Sequence, residues 1–266
     1  VILTFDDGPY PARTREILDT LDRDCLKATF FVVGQMAQSR PELVREEIAR
    51  GHTVGTHTWS HPMPMKALST EAQIADIDRG IAAATRVAGR SLAPFFRFPG
   101  LGDSPETLAH LKGRGIATFT VDIVSDDTSI RDPDKLVAHV MERLDSRGHG
   151  IILMHDIKAV TAAALPKLIT ALKQSGYSVV HVMPVGSGQP APVKPPARPP
   201  SQPYVAERLP WGMSHPGPIP TIVPTSPRRA RDAGEGAERS MTRPKRDPAP
   251  PASGDDWITT IFSGRG

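Results

Sequence analysis

Side chains able to hold a metal or move a proton recur at the ends of short apolar runs in this chain. Asp6 and Asp7 follow Val1–Phe5, and His57 and His61 follow His52–Gly55. Arg97 lies at the end of Phe95–Phe98, Asp122 to Asp127 follow Ile116–Val121, and His155 follows Ile151–Met154. His57-Thr58-Trp59-Ser60-His61 sets two imidazoles four residues apart, which brings both to one side of a helical turn, as a shared metal requires. Asp6-Asp7-Gly8-Pro9 is a carboxylate pair at a tight turn, where Gly8 and Pro9 permit a sharp departure from the preceding run. Adjacent side chains point different ways, so one aspartate can ligate a metal while the other takes a proton from water. Asp and His donors without thiolates suit zinc, cobalt, nickel or iron.

Each motif also has a plainer reading. A His-x3-His pair by itself is more often a surface coincidence, and Asp-Asp-Gly-Pro by itself can be a turn with a helix N-cap. What favours a site is the recurrence of such groups in one phase. His52, His110, His139, His149, His181 and His215 read as surface, loop or core residues. Met63 and Met65, just after His61, read as packing residues rather than ligands.

The elements that must position these groups alternate. The apolar runs above, with Ala28–Val33 and Ser178–Val182, read as strands. Helical patterns lie between them. Asp132-Pro133 caps and starts one, Leu136, Val137, Val140, Met141 and Leu144 form its stripe, and Gly148 ends it. Thr70 and Gln73 suggest a capping box before Ile74, Ile77 and Ile81. Another helix spans Pro41 to Arg50, with Gly51 after it. Strand–helix alternation implies a parallel sheet with helical crossovers, either a barrel or an open sheet. In a βα barrel the C-terminal strand ends converge on one face, where active sites lie.

Residues 1–183 read as one α/β domain and residues 184–266 as a tail. Eighteen of the 28 prolines lie in the tail, where apolar periodicity disappears, so it reads as a disordered Pro-rich segment. Such a tail suits a spacer that contacts the cell wall or another protein, or an inert linker. It carries 11 Lys/Arg against 7 Asp/Glu, which leaves the domain with 21 basic and 22 acidic residues. A near-neutral domain lacks the main electrostatic argument for nucleic-acid binding. The lone Cys25 excludes an intrachain disulfide and a cysteine-based zinc site, and its apolar neighbours suggest a core filler. No run of apolar residues is long enough to span a bilayer. No secretory leader is seen, but Val1 is not a natural start, so that does not count against export.

Taken together, Thr4-Phe5-Asp6-Asp7-Gly8-Pro9, His57-Thr58-Trp59-Ser60-His61, Arg97-Phe98-Pro99-Gly100 and Leu153-Met154-His155-Asp156 resemble the motifs of the polysaccharide deacetylase (NodB-homology) domain, carbohydrate esterase family four. They occur in family order, and the resemblance covers residues 1–183. It implies an irregular βα barrel and a single-metal hydrolase that removes acetyl groups from N-acetylated or O-acetylated sugars of a polysaccharide such as peptidoglycan or chitin-like oligomers. It further implies export to the periplasm, the cell wall or the medium. Carried over by motif, Asp7, His57 and His61 ligate one divalent ion, zinc foremost with cobalt or nickel as alternatives. Asp6 is the general base held by Arg97, His155 the general acid, and Leu153 lines the acetyl pocket. An aspartate after the fifth strand orients His155; Asp127 aligns most naturally, with Asp122 and Asp126 as candidates.

Two positions depart from the family pattern. Gly100 stands where a Tyr is usual, keeping the N–H that helps bind an oxyanion but losing the ring. Asp127-Thr128 stands where Asp-Trp is usual. The competing readings are a hydrolase of non-sugar amides such as cyclic ureides on the same barrel, and a catalytically dead sugar-binding module.

Overall fold

The structure is a computed structural model and describes residues 1–185. Fourteen principal elements alternate along the described chain. They are β1 (Ile2–Asp6), α1 (Pro11–Arg23), β2 (Thr29–Val32), α2 (Gly34–Ser39), α3 (Pro41–Ala49), β3 (Thr53–Thr56) and α4 (Thr70–Ala88). There follow β4 (Phe95–Phe96), α5 (Pro105–Gly113), β5 (Ala117–Thr118), β6 (Ile123–Val124), α6 (Pro133–Arg147), β7 (Ile151–His155) and α7 (Ala159–Gln174). All strand pairs are parallel, in the order β5-β4-β3-β2-β1-β7-β6, so the sheet is a curled half-barrel whose ends, β5 and β6, are not paired to each other.

The period-two alternation of β1 divides its work between two faces. Leu3 and Phe5 are fully buried and join the core against Ile17, Leu18 and Leu21 of α1 and Leu165, Leu168 and Leu172 of α7. Burying one such side chain stabilises the fold by about 1.5–3 kcal/mol. Thr4 and Asp6 take the other face, where Arg97 donates to both. Register then places the site. Asp6 lies opposite His155 of β7 and Phe31 of β2. Thr56 pairs with Phe96, which brings the next residues, His57 and Arg97, side by side.

Several expected elements differ. Ser178–Val182 forms no strand; it exchanges bonds with Val1, whose N-terminus donates to the Ser178 carbonyl and whose carbonyl accepts from the Val180 N–H, just before β1 begins. The strand expected over Ile116–Val121 shrinks to Ala117–Thr118, exposed at the sheet edge. β6 is too short to show periodicity in sequence and exists through its pairing with Ile152 and Leu153. The cap of α4 is Ser69, whose hydroxyl accepts from the Ala72 N–H, while the Gln73 side chain donates to the Leu68 carbonyl. Cys25 is exposed at a turn with φ +54°, not a core filler. The helix begun by Asp132-Pro133 runs as expected to a left-handed Gly148. The tail expected from residue 184 lies outside the described residues except for its first two. Among the described residues no helix is long and apolar enough to cross a membrane.

Candidate active site

Asp6 is the last residue of β1, and Asp7 leaves it with φ +79°, a conformation costly for a non-glycine residue. Gly8 serves a different need from the turn expected of it: a Cβ there would lie 2.0 Å from Asp156 Oδ2, so only hydrogen fits. Asp156 is buried, accepts a hydrogen bond from the Thr14 hydroxyl, and is pushed up to about 7 by burial, with the Asp7 and Asp6 charges adding to it.

His57 and His61 meet over Asp7. Their Nε2 atoms lie 3.5 and 3.2 Å from Asp7 Oδ1. The Arg97 carbonyl, 2.6 Å from His57 Nδ1, can only accept, so Nδ1 carries the proton and Nε2 presents its lone pair. The two rings do not share a helical turn as their spacing suggested. Residues 57–62 are irregular, with φ +60° at Thr58 and +54° at His61.

Neighbouring elements hold that loop in place. Asp76 of α4 accepts from the Trp59 and Ser60 N–H groups and from the Ser60 hydroxyl. Gly34 and Gln35 donate to the Thr58 and Trp59 carbonyls. A Cβ on Gly80 would lie 2.3 Å from the Thr58 carbonyl, so α4 packs directly on the loop backbone.

Arg97 is fully buried. Its Nη1 donates to Asp6 Oδ1 and Thr4 Oγ1, both at 2.8 Å, and its guanidinium lies 4.4 Å from the centre of the Phe31 ring. Asp6 Oδ2 is thus left facing His57 Nε2 at 3.8 Å. Across the strand pair, His155 ends β7. Its Nδ1 lies 2.6 Å from Asp127 Oδ1, and its backbone N–H donates to Asp127 Oδ2, which also accepts from Thr161. Burial would raise the Asp127 carboxyl, but these bonds hold it below the usual range. Burial likewise opposes a charge on His155, yet facing Asp7 and Asp127 push it up to about 9. His155 Nε2 points toward Asp7 Oδ2 at 3.8 Å.

The geometry separates the three candidate aspartates. Asp122 accepts from the Ile151 N–H and pairs with Arg147, Asp126 pairs with His139 and Arg143, and Asp127 touches His155. Leu153 is buried and shares a strand face with His155, two residues on. Gly100 is exposed in the turn after Arg97, with φ +56°. Of the remaining histidines, His52 is buried, pushed down to about 4 by burial and Lys27, and its Nδ1 accepts from the Ala28 N–H. His110 pairs with Asp78 and His181 meets Thr53. Met65 packs in the core as expected, but Met63 is exposed. Asp76, Thr161 and Thr14 had no local sequence signal; Thr4 and Asp156 had one, their places in the motifs that carry Asp6 and His155.

Asp7, His57 and His61 are, among the described residues, the group that could hold a metal ion, with ligand atoms within 4.8 Å of one another. The fit is chemically good. Both Asp7 oxygens are buried and accept no well-formed hydrogen bond, a costly state unless a cation meets them. Burial would raise the Asp7 carboxyl, yet the facing His155 holds it well below the usual range, ready to ligate.

A curled parallel half-barrel with an Asp-His-His cluster beyond its C-terminal strand ends defines the class of α/β fold to which the chain belongs. The chain is a member of the polysaccharide deacetylase family, whose family model matches residues 1–119. It is similar to a chitooligosaccharide deacetylase of Sinorhizobium fredii, at 34% identity over 194 residues, covering 67% of this chain and 88% of that protein. It is similar also to the peptidoglycan-N-acetylglucosamine deacetylase PgdA of Listeria monocytogenes, at 34% identity over 184 residues. That match takes in 68% of this chain but only 38% of PgdA, so the chain spans well under half of that relative. Among solved structures, a peptidoglycan deacetylase of Bdellovibrio bacteriovorus superposes with a TM-score of 0.65 at 33% identity, covering 70% of this chain and 52% of that one.

Proposed function

We propose that this chain is a metal-dependent hydrolase that removes acetyl groups from the N-acetylated sugars of an exported polysaccharide. One observation carries the reading. Asp6, held by Arg97, and His155, held by Asp127, approach the Asp7 cluster from two adjacent strands, which is the layout of a base and an acid around one centre. The names of the relatives support peptidoglycan or chitooligosaccharide as the substrate class.

Asp7, His57 and His61 would hold one divalent ion; their imidazole and carboxylate donors suit zinc, cobalt or nickel, and the family resemblance puts zinc first. When bound, it would polarise the acetyl carbonyl and lower the pKa of water. Asp6 takes the proton of the attacking water at Oδ2, because Oδ1 is engaged by Arg97. Arg97 holds that carboxylate in place with Oδ2 left free to act. His155 gives its Nε2 proton to the departing sugar amine, and Asp127 retains the Nδ1 proton so that only Nε2 can act. The Gly100 N–H donates to the oxyanion and Leu153 lines the space for the acetyl methyl group. The products are acetate and a free amine.

The test is acetate release from peptidoglycan and from N-acetylglucosamine oligomers by the full chain, after chelation and after metal add-back. Loss on chelation with recovery on add-back supports the reading. Full activity in exhaustively demetallated protein refutes the metal, and ring opening of cyclic ureides without acetate release refutes the substrate class.

A further inference from the structure

Four large hydrophobic side chains are exposed among the described residues: Met63, Leu101, Val180 and Val185. Two of them flank one spot. Met63 is 54% exposed and follows His61 by two residues, and Leu101 is 38% exposed and follows Arg97 by four. Gly100 lies between them. A Cβ built on it would meet Met63 Cε at 2.8 Å and Sδ at 2.9 Å, so the thioether fills the space that a side chain at position 100 would take. Met63 is not needed to anchor its loop. Met65 does that, nearly fully buried against Ile77, Phe96, Phe98 and Leu111. Leu101 holds φ +56°, a costly conformation for a leucine, and still leaves over a third of its surface exposed. Exposed apolar surface bought with backbone strain beside a reaction centre points to contact with a ligand.

We propose that Met63, with Leu101, forms the apolar surface on which a sugar ring of the substrate rests, and that Met63 thereby sets the preference for oligosaccharide over small acetyl compounds. This rests on the proposed deacetylase function. A pyranose ring is polar at its hydroxyls but presents C–H groups on its faces, and a flexible, polarisable thioether adapts to such a face. The hydroxyls remain free for water and for polar groups at the rim. Met63 is a specificity residue here and takes no part in proton transfer.

The experiment compares Met63→Ala and Met63→Leu with the wild type, each metal-loaded and checked for metal content and thermal unfolding. Acetate release is measured from an N-acetylglucosamine tetramer and from a small aryl acetate. Met63→Ala should lower kcat/KM on the tetramer about five- to tenfold more than on the aryl acetate, the scale of one side chain's apolar contact, mainly through KM. Met63→Leu should recover most of the loss. Equal effects on both substrates, or none on the tetramer, overturn the proposal. If the wild type releases no acetate from any sugar, the deacetylase reading fails instead, and tetramer binding by calorimetry decides Met63. Weaker binding by Met63→Ala supports the apolar surface; equal binding, or none by the wild type, overturns it.

Discussion

Asp127→Asn changes one charge and almost no volume, and its consequences can be worked from the contacts around it. The carboxylate accepts from His155 Nδ1, the His155 N–H and the Thr161 hydroxyl, all in a fully buried position. An amide brings two donors to a place that needs only acceptors, so one donor is left facing another. Such a buried mismatch costs about 1–3 kcal/mol of stability. The larger effect falls on His155, the proposed acid. His155 stands at about 9, against an ordinary 6.5, with Asp7 and then Asp127 opposing the effect of burial. Losing a charge in direct contact removes about 1–3 pK units. The alkaline limb of the acid then moves toward neutral by that amount, and the protonated share at pH 8 falls with it. Turnover should then be about tenfold lower than wild type at pH 8 and within a few-fold of it at pH 6. A raised histidine contributes stability that is complete below 6.5 and lost as pH rises through about 9, so the stability of the wild type should also decline across that window. In Asp127→Asn that decline should shift to lower pH. The assay is kcat against pH on an acetylated oligomer, beside chemical denaturation at each pH and metal content. Superimposable alkaline limbs for the two proteins would refute the pairing as the source of the acid.

The two adjacent aspartates should separate by metal rescue: Asp7→Asn loses metal affinity and regains part of its turnover in excess metal, whereas Asp6→Asn keeps about one ion and stays inactive. Metal content by mass spectrometry with acetate release over a metal titration checks this, and a reversed pattern means the roles are swapped. Asp76→Ala should weaken metal affinity about 10–100-fold by loosening the loop that carries His57 and His61, while the melting temperature falls little. Unchanged affinity would show that the loop holds itself. Glu47 is fully buried, neither of its carboxylate oxygens has a hydrogen-bond partner, and burial, then Asp156 and Glu46, hold it well above the usual range. The native state therefore keeps a proton that the unfolded chain loses above 4.5, and stability falls as pH rises from there, by up to about 1.4 kcal/mol per pH unit. Glu47→Gln removes that slope, so its melting temperature should rise relative to wild type from pH 5 to pH 8; a constant difference would refute the buried-acid account.

Much of the candidate site was legible in the chain because its parts are local. Asp6-Asp7, His57 with His61, Arg97 and His155 each close an apolar run, and a parallel α/β fold sends such strand ends to one face whatever the details of packing. The helix from Pro133 was equally plain, since Asp132, Pro133 and Gly148 act on their own backbone. Tertiary structure decided what depends on distance in space. That Asp127, and neither Asp122 nor Asp126, touches His155 depends on the short β6, which exists only through its pairing with β7. The two imidazoles converge through an irregular loop held by Asp76 and Gly80 of α4, residues far along the chain that no spacing rule connects to His57. Gly8 looks like a turn glycine in sequence, yet its constraint comes from Asp156, 148 positions away. Met63 and Met65 are indistinguishable by type, and only packing buries one and exposes the other. Propensity and pattern act within a few residues, whereas orphaned charges, close approaches and hydrogen-bond partners are properties of the folded neighbourhood.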